Sequence, residues 1–263
     1  MESQRRSSSV RFATCSLVPD MRTVTFKNVY VQARSAVVGP LEKEGPLGSL
    51  FDKSYEDAYC GESSFEKAER VLLGDAVDLT LRKAGKGVQD IDLLVGGDLI
   101  NQLTSSHYFA KDLEVPFLGM YGACSTSSLV IGTGAVWVEH GLARQVLAFT
   151  SSHVATAERQ FRFPNEYGIQ KKETTTSTVT GAGAALLSNE KSNIRVAAFT
   201  PGRIVDWDHK DANDMGLAMA PAAYDTITQH LKDMHRELKD YDMIVTGDLS
   251  KIGFSFLVDL MNQ

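Results

Sequence analysis

The chain has 263 residues, 43% of them hydrophobic and 23% charged, with a net charge of -6, a length that suits one large domain or two smaller ones with a sizeable core. The acidic balance argues against nucleic acid as the main partner, and no apolar run approaches the roughly 18 residues that cross a bilayer. Cys15, Cys60 and Cys124 are isolated and show neither disulfide nor metal spacing, so a reducing, cytoplasmic compartment is expected, with no metal and no cofactor.

Residues 1–20 carry Arg5, Arg6, Arg11 and five serines, a basic, low-complexity start read as a disordered extension with Met21 as an alternative first residue. A strand is predicted over 24–31. A helix is predicted over 65–84, with Phe65, Ala68, Leu72, Ala76 and Leu79 on one face and Ser63 and Glu66 as a capping box. Residues 91–95 read as a buried strand that ends in a polar turn at Asp98.

A strand over 115–120 leads into Gly122-Ala123-Cys124-Ser125-Thr126-Ser127 and then a helix over 125–140 that is apolar or small almost all round. A helix without a polar face is buried. At its N-terminus the Cys124 thiol is expected to feel the positive end of the dipole, which favours thiolate. Strand, small-residue elbow, cysteine and buried helix are the parts of a nucleophile or oxyanion pocket. Against this stands the commonest role of a free cysteine, a small hydrophobe in a core. The small and hydroxyl-bearing neighbours, Ser125 and Thr126 among them, favour the pocket.

Residues 145–149 form the next predicted strand, expected to lie beside and parallel to 115–120, in one sheet with 91–95. The segment 150–168 has little helical or strand period. It leaves from the carboxyl edge of that sheet, where open α/β folds bind ligands, and it carries Ser152, His153, Arg159 and Arg162. The arginines offer forked donors suited to carboxylates, although Arg159 could instead pair with Glu158 or Glu166 on the surface. His153 has no identifiable acidic partner to orient it and reads as a hydrogen-bonded pocket wall in preference to a base. Residues 174–180 are nearly all hydroxyl-bearing. They lead into Gly181-Ala182-Gly183, which lacks the lysine of a phosphate loop and is read as a turn into a strand.

A second helix is predicted over 221–238, with Pro221 in its first turn. The ten residues that follow, 240–249, repeat 90–99 at an offset of 150, with six positions identical. A repeat of this length marks a duplicated domain. Residues 241–245 are therefore expected to form a strand of a second sheet, and the matching places of Asp98 and Asp248 favour a turn role over chemistry. The halves are drawn at 21–190 and 191–263. Only 14 residues follow Leu249, so the second half is expected to be incomplete, with an apolar face and an unpaired edge near Ile244.

Together, Gly45-Pro46-Leu47-Gly48-Ser49-Leu50-Phe51-Asp52, Gly97-Asp98-Leu99-Ile100-Asn101-Gln102, the elbow around Cys124, Ser151-Ser152-His153 and Ala155-Thr156-Ala157-Glu158-Arg159-Gln160-Phe161-Arg162 resemble the stage V sporulation protein AD family, within the thiolase-like superfamily. The likeness runs from about Met21 to Leu260, and its most specific stretch is Thr156 to Arg162. It implies a thiolase-like α/β fold, duplicated and layered α-β-α-β-α. It also implies a role in spore formation, binding pyridine-2,6-dicarboxylic acid (dipicolinate) for uptake into the forespore. Implied partners are the other stage V sporulation A membrane proteins and a second copy in a homodimer. The implied location is peripheral, at the spore inner (forespore) membrane.

Cys124 matches the superfamily's nucleophile position, but the chain departs from catalytic thiolases. No cysteine follows Cys124, there is no Gly-His-Pro, and His209, His230 and His235 fall in a charged loop and a solvated helix. The leading expectation is a non-catalytic binding protein, with Cys124, Ser125, Thr126, Ser152, His153, Arg159 and Arg162 as candidate ligand contacts. The alternative is an acyltransferase or condensing enzyme with Cys124 as nucleophile. A third reading is an assembly subunit with an empty pocket.

Overall fold

The computed structural model describes residues 21–161 and 173–263; the basic stretch 1–20 and the candidate contact Arg162 lie outside them. The strand expected over 24–31 is two strands, β1 (Val24–Thr25) and β2 (Tyr30–Val38). Between them the N–H groups of Lys27 and Asn28 donate to the Glu139 carboxylate, not to a ladder, which breaks the pairing. After α1 (Pro40–Lys43) and β3 (Lys53–Ser54) comes α2 (Phe65–Ala84), with the predicted ends. Its cap is Ser64, one residue beyond the expected Ser63 box. The Ser64 hydroxyl accepts the Lys67 N–H at 3.3 Å, and the helix ends on Gly85 in the left-handed region.

Next come β4 (Leu93–Gly97), α3 (Thr104–Lys111), β5 (Phe117–Gly119), α4 (Thr126–Glu139), β6 (Gln145–Ser152), α5 (Val154–Phe161) and β7 (Gly181–Ser188). The helix α5 replaces the irregular chain expected after Ser152. It buries Thr156 and Ala157 and leaves Arg159 exposed, a two-turn amphipathic pattern too short for its period to stand out in the sequence.

Six strands form one sheet in the order β3-β2-β7-β6-β4-β5. β4 is parallel to both β5 and β6, and β7 runs antiparallel between β6 and β2. The strands predicted over 115–120 and 145–149 are thus parallel but not neighbours. β4 separates them, because all five of its residues are buried and only an interior place covers both edges and both faces. Alternate side chains serve the two faces. Leu94, Leu147, Phe149 and Leu186 pack with Leu72, Leu73 and Ala76 of α2. Leu93, Val95, Val146 and Ala148 pack with Val130, Ala135 and Val138 of α4. Each large buried side chain in these layers contributes about 1.5–3 kcal/mol.

The remaining elements are β8 (Ala198–Phe199), paired antiparallel with β1, and the helices α6 (Met215–Met234) and α7 (Ser250–Met261). α6 begins before Pro221, because the Asp214 carboxylate accepts the Leu217 N–H at 3.0 Å and starts the helix there. Proline is then tolerated inside at the loss of one helical hydrogen bond. The 150-residue offset carries α2 onto α6, the left-handed cap Gly85 onto His235, and the single turn Val88–Asp90 onto Leu238–Asp240. It does not carry β4 onto a strand. Residues 241–245 have no ladder, and Met243 and Val245 are 76% and 79% exposed. β4 is held by β5 and β6; among the described residues the second copy has no such neighbouring strands, so 241–245 has no ladder to join.

Candidate functional site

Both β2 and β6 are antiparallel to β7, so β2, β4, β5 and β6 end at one edge of the sheet. Cys124 lies there, in the single turn Ala123–Ser125 ahead of α4. Ala123 adopts φ 46°, a left-handed conformation that costs a residue with a Cβ about 1–3 kcal/mol. Two hydroxyls hold this elbow. Thr126 is buried; its Oγ1 donates to Ala123 O at 2.8 Å and accepts the Gly122 N–H at 3.1 Å. Ser125 Oγ donates to Gly122 O at 2.7 Å. Both candidate contacts thus spend their proton on the turn that presents Cys124.

The two repeat units close on this elbow through matching glycines. A methyl group on Gly97 would fall 1.9 Å from Met120 O and 2.9 Å from Thr126 Cγ2. One on Gly247, its counterpart, would fall 2.7 Å from Cys124 Cβ and 3.3 Å from its sulfur. Only glycine permits these approaches. The following aspartates cap turns, as expected. Asp98 accepts the N–H groups of Ile100 and Ser106 at 2.8 and 2.7 Å, and Asp248 those of Ser250 and Ser177, also at 2.8 and 2.7 Å.

The charge around Cys124 is negative. The residue is exposed as a whole, yet its sulfur is turned against Gly247, and this burial pushes the thiol above its ordinary pKa. The Asp248 carboxylate pushes it the same way, and together they outweigh a backbone hydrogen bond that favours thiolate. The expected lowering by the helix dipole is therefore overturned. Tyr121 is raised too, first by burial, then by Cys124 and Asp98.

Ser152, His153 and Arg159 form a separate group at the β6–α5 junction. Ser152 Oγ donates to Val179 O at 2.6 Å. His153 is fully buried, with Nε2 donating to Ala58 O at 2.9 Å and Nδ1 accepting the Ala155 N–H at 3.2 Å. Burial pushes its pKa down, so the ring is neutral. Arg159 is half-exposed and paired with Glu66 of α2; Glu166 lies outside the described residues. His107 is bound to Leu103 O, and His230 lies between Thr200 and Tyr241.

Two acidic groups of this edge escaped sequence reasoning. The sequence marks Asp248 as a turn residue, and only the fold places it beside Cys124. Glu69, fully buried, receives Ser151 Oγ at 2.9 Å, and burial first, then Asp98, raises its pKa to about 7. Its signal was available: a glutamate between Ala68 and Leu72, on the apolar stripe of α2.

The fold matches solved structures. A cerulenin-bound OleA of Xanthomonas campestris superposes with a TM-score of 0.64 at 13% identity, over 91% of this chain and 80% of that one. A 3-oxoacyl-(acyl carrier protein) synthase III, FabH, of Xanthomonas oryzae superposes with a TM-score of 0.60 at 15% identity, over 91% and 83%. This α/β chain therefore has the thiolase fold. At the sequence level, the family described as stage V sporulation protein AD (SpoVAD) matches residues 20–263. The protein named "Stage V sporulation protein AD" of Bacillus subtilis (strain 168) is 49% identical over 235 residues, covering 89% of this chain and 70% of that one. The chain belongs to the stage V sporulation protein AD family.

Proposed function

We propose that this sporulation-family chain is a non-catalytic binding protein on a thiolase fold, taking dipicolinate for uptake into the forespore. The observation that carries the reading is the state of Cys124. Its thiol is held protonated by burial and by Asp248, while His107, His153 and His230 are each bound elsewhere. A thiol nucleophile needs the opposite, a lowered pKa or an adjacent base. The strained Ala123 elbow favours the second reading, an acyltransferase, because it presents a cysteine as nucleophile turns do.

In the binding reading, a rigid dianion uses the guanidinium groups of Arg159 and Arg162 as forked donors. No described helix is long and apolar enough to cross a membrane. Peripheral attachment at the forespore membrane then comes through the other stage V sporulation A membrane proteins, with the chain as a homodimer. Isothermal titration with dipicolinate, set beside mass spectrometry after incubation with an acyl-coenzyme A, decides between the readings. Saturable heat without an added acyl mass supports binding. An acyl group on Cys124, removed in Cys124→Ser, replaces it with the enzyme.

A further inference from the structure

Glu69 sits on α2 with no exposed surface, and its carboxyl reaches two hydroxyls on either side of the β6–α5 junction. Ser151 Oγ, at the end of β6, donates to Oε1 at 2.9 Å. Thr156 Oγ1, in the first turn of α5, lies 3.2 Å from Oε2 and 2.9 Å from the carbonyl oxygen of His153. A hydroxyl has one hydrogen. If Thr156 spends it on the nearer acceptor, His153 O, a lone pair of Thr156 faces Glu69 Oε2. That contact is attractive only when Oε2 carries a proton and donates it.

We infer that Glu69 is a proton-operated clamp on the β6–α5 junction. Neutral, it completes the chain Glu69 Oε2–H to Thr156 Oγ1–H to His153 O and pins the first turn of α5. Ionised, it must take the Thr156 hydrogen for itself. His153 O then keeps only the Ala157 N–H, at 2.9 Å, and the first turn loosens. The same junction bears Ser152, His153 and Arg159, so the proton on Glu69 sets the order of that group whatever ligand it meets.

Among the described residues, no cation offsets the buried charge. The groups acting on Glu69 are Asp98, from the end of β4, and Glu66, one turn earlier on α2, both acidic. From α5, Arg159 is held by Glu66, and His153 is neutral and tied to Ala58 O. β7 carries no ionisable residue, Arg34 of β2 is exposed, and on α3 His107 is bound to Leu103 O while Lys111 pairs with Asp112. The raised pKa of Glu69, about 7, puts the change near neutrality.

The test is amide hydrogen exchange across residues 153–161 in the whole chain from about pH 6 to 8, corrected for the intrinsic pH dependence of exchange. Protection of α5 is expected to fall about tenfold as Glu69 ionises. In Glu69→Gln, whose amide accepts from Ser151 and donates to Thr156 as the neutral acid does, protection stays high and flat. Asp98→Asn, which removes a like charge that holds the Glu69 pKa up, moves the midpoint downward in pH; this variant carries the test should the glutamine form fail to fold. Flat protection in the unmodified chain, the same fall in Glu69→Gln, or an unmoved midpoint in Asp98→Asn overturns the clamp.

Discussion

Cys124 is legible in the sequence as a residue on an elbow, because the strand, the small residues and the apolar helix are contiguous. Its chemistry is not legible, since Gly247 and Asp248 reach it only through the tertiary fold. Two consequences are measurable at this scale. In a background lacking Cys15 and Cys60, alkylation of Cys124 by iodoacetamide should rise only above the ordinary thiol pKa, and Asp248→Asn should move the profile to lower pH by removing a like charge. A profile that rises below neutrality would restore the nucleophile. The second concerns Arg159. Because Glu66 already holds it at the surface, Arg159→Ala should weaken dipicolinate binding by only about 1 kcal/mol, whereas Glu66→Gln, which frees the guanidinium, should strengthen it. Titration calorimetry on the two variants gives both signs, and weaker binding in Glu66→Gln would remove Arg159 from the ligand.

At the scale of elements, α2 was readable to its ends because twenty residues of regular period and a glycine cap agree with one another. The second copy of the repeat then places α6, although Pro221 misdirected its start. Elements defined by a partner were not readable. β1 and β2 are parted by Glu139, more than a hundred residues away, and α5 has too few turns to announce itself. The segment 241–245 has a strand's sequence and no strand beside it. Two glycines, one in close contact and one in open space, offer a graded test. Gly97→Ala drives a methyl into Met120 O and should destabilise by about 3 kcal/mol. Gly85→Ala has open space around it and meets only the left-handed backbone, at about 1 kcal/mol. Urea unfolding of the pair should show this order, and equal losses would mean that Gly97 is not under steric load.

Across the whole molecule, the first described residues are tied to the last long helix by charge. Asp233 of α6 accepts the N–H groups of Arg22 and Thr23 and the Thr23 hydroxyl, while Asp225 pairs with Arg22 and Arg203. Against the cost of burial, those hydrogen bonds hold Asp233 down at about 2, below the 3.8 of a free aspartate. A carboxyl with a depressed folded pKa stabilises above its unfolded value and loses that contribution as the pH falls through the folded one. Acidification from about pH 4 to 2 should therefore release β1 from α6, seen as faster exchange at residues 22–25, and Asp233→Asn should bring the release to neutral pH. Glu69 acts with the opposite sign: its contribution is full below 4.5 and is lost as the pH rises through about 7. The closure of Gly97 and Gly247 on one elbow has a further meaning. Gly97 fixes the elbow from the first copy, while Gly247 of the second lies against the Cys124 side chain, so the first copy alone does not cover the sulfur in this way. Cys124 is in this sense a coincidence detector: its burial, and with it the reluctance of its thiol to ionise, reports that the two halves of an ancient doubling are docked. A shift of about an ångström between them would be written first in the reactivity of a single atom.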